Sequence, residues 1–245
     1  MPATASAHFL AKVMRHTRLE PDEQQAVLAL ASEVLSISAH SDFIRRGEPV
    51  NSACLVIEGL LARTCDTLSG SRQISALYVP GEMPDIHGLL VPTATSTLHA
   101  ISPARIVRVS RSAVRDAVKK FPILMEAFWR ETIIDAAISF EWTVNVGQRQ
   151  AKSRIAHLFA ELAVRTDRVA GNSFDYAFPG TQTHISEATG MSTVHVNRSL
   201  QSLKAEGVLE VVKGQVNVLS WDGLVAVGEF DDRYLSYGEP QRLLA

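Results

Sequence analysis

The stretch TQTHISEATGMSTVHVNRSLQSLKAEGVL, Thr181 to Leu209, holds two helix starts and two helix stops in close succession. Thr181 can cap a short helix from Gln182 to Thr189 that turns Ile185 and Ala188 toward a core, and Gly190 supplies the left-handed residue that stops it. Ser192 caps a second helix. In it Val196, Leu200 and Leu203 recur at i, i+4 and i+7, which puts Thr193, Val194, Asn197, Arg198 and Gln201 on the opposite face. Gly207 ends this helix. A two-turn helix, a tight turn and a second helix make a helix-turn-helix. The outer face offers arginine for guanine edges, asparagine or glutamine for adenine or phosphate, and methyl groups for thymine, which is the chemistry of major-groove reading. Val208 to Val212 and Gln215 to Leu219 flank Lys213-Gly214 as a β-hairpin, a wing beside that helix pair.

Upstream of this module, Ile155, Leu158, Phe159 and Leu162 fall at i, i+3, i+4 and i+7 and predict an amphipathic helix ending near Arg165. Thr166 to Gly180 reads as a connecting loop or short strand. Further upstream, Pro122 opens a stretch to Val146 with no further proline and no glycine, which predicts one long helix. Ile123, Leu124, Phe128, Trp129, Ile133, Ile134, Ile138, Phe140 and Trp142 are too many apolar residues for a stripe over one core. One side would pack on its own domain and the other would pair with the same helix of a second subunit, giving a two-fold homodimer. A central helix buried within a monomer is the competing reading. From Val34 to Val109, short apolar runs such as Cys54 to Ile57, Gln73 to Val79 and Arg105 to Val109 alternate with Gly and Pro turn signals, the pattern of an antiparallel β-sandwich, jelly roll or barrel. A short helical lead is expected over Pro21 to Ala31.

Composition is consistent with a globular chain and excludes little else: 46% of the 245 residues are hydrophobic and 20% charged. The longest apolar runs fall far short of the roughly 20 residues that cross a bilayer, so no membrane association is expected. Met1 to Leu10 lacks a basic start followed by a long apolar block, which makes the cytoplasm the expected compartment. A net charge of −2 averages over the chain, whereas DNA responds to a local face. Arg149 to Lys213 carries eight basic and six acidic residues, a small local excess. Cys54 and Cys65 lack the spacing of a zinc or iron-sulfur site and read as two buried small hydrophobes.

Over almost its whole length the chain resembles the Crp/Fnr superfamily of bacterial transcription regulators. The most specific part is Thr181 to Leu209; Pro80 to Leu90, PGEMPDIHGLL, resembles the loop that forms the phosphate cassette in cyclic-nucleotide relatives, and Arg154 to Leu162, RIAHLFAEL, extends the match. The resemblance implies an α+β chain with an N-terminal antiparallel β jelly roll as sensor domain (1–120), a dimerisation helix (121–147) and a C-terminal winged helix-turn-helix (148–245). It implies a homodimer on a near-palindromic double-stranded DNA operator, with RNA polymerase as a further partner if the protein activates. Thr181, Gln182, Thr183, Ser192, Thr193, Val194, His195, Asn197 and Arg198 are the expected DNA-binding residues; Ile86, His87, Gly88 and Leu89 would line an effector pocket.

Departures from the family pattern are informative. Val194 stands where relatives commonly carry an acidic residue, so cytosine cannot be read there, whereas Arg198 matches the base-reading arginine. Ile86 and, approximately, Ala94 occupy the positions that hold the ribose and phosphate of cyclic AMP in relatives, so control by cyclic AMP is not expected. The cysteine cluster of the iron-sulfur branch is absent. His87 and the start Met1-Pro2 are shared with haem-binding relatives, but one histidine and one proline do not specify haem; no cofactor is expected, and the effector is left open. A metal-dependent jelly-roll enzyme would need converging histidines and a carboxylate, and His40, His87 and His99 are expected to lie far apart, with no HxH pair. His87 is expected as a hydrogen-bonded loop or interface residue, Arg45-Arg46 as a solvated turn, and the tail from Phe230 to Tyr237 as packing on the winged module. The alternatives are a sensor regulator that takes haem or another small ligand, and a sensor module that has lost DNA binding; the intact amphipathic helix with Arg198 in place argues against the second.

Overall fold

The computed structural model describes residues 2–235 and 239–242, and for residues 2–5 the backbone alone. Two compact units emerge: Met1–Arg63 with Leu77–Ala137 and Leu235–Ala245, and Thr64–Ala76 with Ile138–Tyr234.

In the first unit, helices α1 (Pro2–Val13) and α2 (Pro21–Leu28) precede the strands. Glu20 and Glu23 form a capping box that starts α2 with Pro21 at its first position. Then come β1 (Val34–Ile37), β2 (Ser41–Ile44), β3 (Ser52–Glu58), β4 (Leu61–Asp66), β5 (Arg72–Tyr78), a 3₁₀ turn at Ile86–Leu90, β6 (Thr97–Ala100) and β7 (Ala104–Ser110). They form a β1-β7-β3 sheet and a β2-β6-β4-β5 sheet, the jelly roll expected. Pairing of β1 and β3 with β7 is antiparallel, with Leu35 opposite Ile106 and Ala53 opposite Val109. Because side chains alternate along a strand, one face of this sheet turns Leu55, Val107 and Val109 toward the helices. There they join Phe9, Leu10 and Val13 of α1, Val27 of α2, and the turn residues Ile86 and Leu89 in one buried core.

Helix α3 (Arg111–Lys120), capped by Ser110, was not expected from the sequence; its Ala113, Val114, Ala117 and Val118 are partly buried against the first core. Phe121-Pro122 then leads into α4 (Ile123–Gly147), the long helix expected. Leu124, Ala127 and Phe128 of α4 complete the first core, with the Phe128 ring 6.3 Å from that of Phe9. A different side of α4 carries Met125, Trp129, Ile133, Phe140 and Val144, all exposed. The two-sided apolar pattern is therefore real.

The second unit continues with α5 (Ala151–Arg165), β8 (Phe174–Ala177), α6 (Gln182–Thr189), α7 (Thr193–Ala205), β9 (Leu209–Val212), β10 (Gln215–Val218) and α8 (Trp221–Gly228). The β8-β10-β9 sheet makes the wing three-stranded, so the segment left open between loop and strand contributes β8. Gly228 is a close-approach position: a Cβ there would lie 2.8 Å from the His157 backbone nitrogen on α5. Phe230 is buried, 5.4 Å ring to ring from His157, which agrees with a tail packed on this module; Tyr237 lies outside the described residues.

Gln241 and Arg242, downstream of the winged module, belong to the first unit. Gln241 bridges to Thr17, and Arg242 forms a two-pronged pair with Glu23 at 2.8 and 3.0 Å. Two sequence expectations fail. Cys54 is buried but Cys65 is exposed, because it lies at the end of β4 where both final residues leave the core. His40 and His99 are not apart in space: β2 and β6 pair with Asp42 opposite His99, and the ring nitrogens of the two histidines come within 4.8 Å. His99 Nδ1 is held by Asp42 at 2.7 Å.

Candidate nucleic-acid interface

Both helix starts in the motif have the expected caps. Thr181 Oγ1 accepts from the His184 amide at 3.4 Å, and His184 Nδ1 accepts from the Thr181 amide at 3.0 Å, a capping box with histidine in the usual glutamate role. Gly190 takes φ +64°, and Ser186 ties the turn by donating its hydroxyl to the Met191 carbonyl at 2.6 Å. Ser192 Oγ accepts from the His195 amide at 3.3 Å to start α7. Val196 and Leu203 are fully buried and Leu200 nearly so, while α7 packs on α5, α6 and β9.

That packing fixes the opposite face. Thr193, Val194, His195, Asn197, Arg198 and Gln201 are all exposed, as are Thr181, Gln182, Thr183 and Ser192 at the two helix starts. Val194 is 66% exposed, so its methyl groups are available to contact an apolar group of another molecule. Arg198, Thr193, Asn197 and Gln201 make no side-chain hydrogen bond among the described residues. Their donors and acceptors remain available to another molecule.

The basic residues around this face are fewer than their number in the sequence suggests. Lys152 pairs with Glu206 at 2.7 Å, Arg165 with Glu161 at 2.6 Å, and Arg149 and Lys204 with Glu141 and Glu210. Among the described residues of this segment, Arg154, Arg168, Arg198 and Lys213 make no ion pair, and Arg154 donates instead to the Arg149 and Thr189 carbonyls. Lys213, with φ +49°, and Gly214, with φ +79°, form the tip of the wing, the left-handed pair that a two-residue hairpin turn requires. Sequence reading identified the wing but passed over Lys213 as a contact, although a lysine in an obligatory exposed turn was a usable signal.

The expected effector residues lie in the first unit. Ile86 and Leu89 are 7% and 6% exposed and committed to its core. Gly88 is buried at the same turn, with its amide bonded to the Asp85 carbonyl at 2.8 Å. His87 is partly exposed and lies 3.8 Å from Asp85, an ionic rather than hydrogen-bonding distance. Ala94 is buried, its amide donating to the Glu48 carbonyl at 2.8 Å. Met1, invoked with His87 for haem, is outside the described residues, as is the side chain of Pro2.

Two domain families match the chain, one on each side of α4. Residues 34–121 match the cyclic nucleotide-binding domain and residues 153–227 the Crp-like helix-turn-helix domain. The transcriptional activator protein FnrL of Cereibacter sphaeroides is 22% identical over 82% of this chain and 81% of its own length. The nitrogen fixation regulation protein FixK of Azorhizobium caulinodans is 23% identical over 86% of this chain and 87% of its own. In fold, FixK2 from Bradyrhizobium japonicum superposes with a TM-score of 0.73 at 20% identity, covering 81% of this chain and 98% of that one. A β-roll followed by a long helix and a winged helix-turn-helix, matched by both domain families and by regulators aligned over most of their lengths, makes this chain a Crp/Fnr family transcription regulator.

Proposed function

We propose that the protein binds a near-palindromic operator in the cytoplasm as a homodimer, reading bases with the exposed face of α7, and that RNA polymerase is its partner where it activates. The observation that carries this reading is the set of exposed side chains at Thr193, Val194, Asn197 and Arg198, uncommitted to any internal hydrogen bond, on a helix whose other side is locked in a core. An arginine in that setting can donate two parallel bonds to a guanine, and Val194 can meet a thymine methyl at a neighbouring pair. Thr181, Gln182, Thr183 and Ser192, at the helix N-termini, suit phosphate oxygens, which fix register without reading sequence. The residues 1–120, 121–147 and 148–245 then serve as sensor, dimerisation helix and DNA-binding module.

A randomised operator library at fixed salt separates the two kinds of contact. Arg198→Ala is expected to cost about 1–3 kcal/mol at the preferred site and to relax one base pair in each half-site, symmetrically about the two-fold axis. Lys213→Ala is expected to weaken all sequences alike and to lower the slope of affinity against salt by about one phosphate contact. An unchanged base preference in the Arg198 variant would remove the reading helix from the proposal.

The sensor unit is proposed to work without cyclic AMP. A charged phosphate needs a cation and a ribose needs an acceptor, and Ala94 and Ile86 supply neither; Ile86 is moreover part of the core. Calorimetric titration with cyclic AMP is expected to give no binding heat up to millimolar ligand, and micromolar affinity would refute this.

A further inference from the structure

Inside the first unit, one guanidinium faces two carboxylates from different elements. Arg63 Nη2 on β4 lies 2.8 Å from Asp135 Oδ2 on α4 and 3.6 Å from Asp85 Oδ1 at the start of the 3₁₀ turn. Tyr78 on β5 donates its hydroxyl to Asp135 Oδ1 at 2.9 Å, so both oxygens of Asp135 are bonded. Asp85 is placed differently. Its Oδ1 is buried without a hydrogen-bond partner among the described residues, its side chain is 11% exposed, and the nearest positively charged or chargeable groups are Arg63 and, at 3.8 Å, the His87 imidazole. Its backbone sits at φ +60°, in the left-handed region that is uncommon for residues other than glycine but that aspartate tolerates.

The groups facing Asp85 can be enumerated by element: Arg63 from β4, Tyr78 from β5, Asp135 from α4, the Cys54 thiol from β3 and His87 from its own turn. Burial pushes both the Tyr78 hydroxyl and the Cys54 thiol up, so neither carries charge at neutral pH. Asp85 and Asp135 set two carboxylates against the single guanidinium of Arg63 in a place with little water. A buried net charge is resolved most simply by taking up a proton. Burial raises the Asp85 carboxyl above its usual range, outweighing the opposing pull of Arg63 and His87.

We propose that this cluster is a proton-binding site with Asp85 as the acceptor, and that the proton is the small ligand to which the Ile86–Leu90 turn responds. The regulatory half of this proposal rests on the reading of the protein as a DNA-binding regulator; the proton site itself does not. Protonation adds one proton from water to the Asp85 carboxylate and leaves Arg63 to Asp135, so that Arg63 and Tyr78 hold α4 together. Ionisation divides Arg63 between α4 and the turn and leaves a desolvated carboxylate next to Ile86, which favours release of the turn from the core. Since the folded-state carboxyl lies above its ordinary value of 3.8, the contribution of Asp85 to stability is full below that value and is lost as the pH rises through the folded pKa.

The test uses the full chain, wild type and Asp85→Asn, whose amide is a neutral stand-in for the protonated acid. Thermal unfolding and operator affinity are followed from about pH 4.5 to about pH 8, and the Asp85 carboxyl resonance of carbon-13-labelled wild type is titrated directly. The expected results are an Asp85 resonance that titrates above the ordinary aspartate range, a melting-temperature advantage of Asp85→Asn that is small at the acid end and grows with pH, and wild-type operator affinity that falls relative to the variant by up to about tenfold per pH unit for each subunit of the dimer. An Asp85 resonance titrating at or below the ordinary value overturns the proton site, whether or not the variant folds. Parallel pH profiles for the two proteins overturn it as well. If neither protein binds an operator at any pH, the DNA-binding reading fails while the carboxyl titration still decides the proton site.

Discussion

Ile133→Asp is expected to leave the protein monomeric at micromolar concentration and to abolish operator binding. Met125, Trp129, Ile133, Phe140 and Val144 are 48, 59, 52, 72 and 46% exposed and follow one another along α4 at spacings of four, four, seven and four residues. Such a stripe fits the seam of the proposed helix pair, in which each residue would meet its counterpart across a two-fold axis. Buried in such a seam, an aspartate appears twice per dimer and faces its own copy. The cost of placing two unpaired charges there is about 3 kcal/mol or more, at least a hundredfold in dissociation constant. The side chain of Ile133 is half exposed within one chain, so the fold of the monomer should survive, and circular dichroism would confirm it. Sedimentation at twice the chain mass for this variant would overturn the helix-paired dimer.

The largest expected loss of stability comes from Glu161. This carboxylate is fully buried and has three donors: Arg165 Nη1 at 2.6 Å on Oε1, and Trp142 Nε1 at 3.0 Å and the Tyr234 hydroxyl at 2.7 Å on Oε2. The acceptor holds α5, the end of α4 and the residues after α8 together. Glu161→Ala takes the Glu161 carboxylate away from the buried Arg165 guanidinium and strips two further donors of their acceptor. Removing one partner of a buried pair costs about 3–5 kcal/mol, a large share of the stability of a domain. Urea unfolding followed by tryptophan fluorescence would measure it. The double change Glu161→Leu with Arg165→Met is expected to recover much of the loss, because replacing both partners removes the orphaned charge. A double variant as unstable as Glu161→Ala would contradict the ion-pair account.

Much of this architecture was legible where sequence chemistry is local. Caps at Thr181 and Ser192, the left-handed Gly190 and the wing turn at Lys213-Gly214 each depend on a few adjacent residues, and the structure places all of them as read. The helix over 123–147 was legible because Pro122 opens a stretch to Val146 with no further proline or glycine to break it. Helices α1 and α3 were missed for a physical reason: their apolar residues, such as Phe9 and Val13 or Val114 and Val118, form short sets that become informative only when the sheet face they cover is known. The nearness of His40 and His99 and the convergence of Arg63, Asp85 and Asp135 depend on long-range pairing, which local periodicity does not encode. The reading face was accessible to sequence analysis because it is one side of one helix; the acid cluster was not, because it joins a strand, a turn and a helix from distant parts of the chain.

The return of Gln241 and Arg242 to Thr17 and Glu23 has a consequence for the order in which the protein is made. A chain leaves the ribosome from its N-terminus, and domains generally fold as they emerge. Here the first unit lacks its last contacts until the winged module has been synthesised, because the segment that supplies them is encoded after it. The unit that appears first is thus completed last, and any ribosome-bound nascent chain that has not yet reached Arg242 displays Glu23 without its arginine.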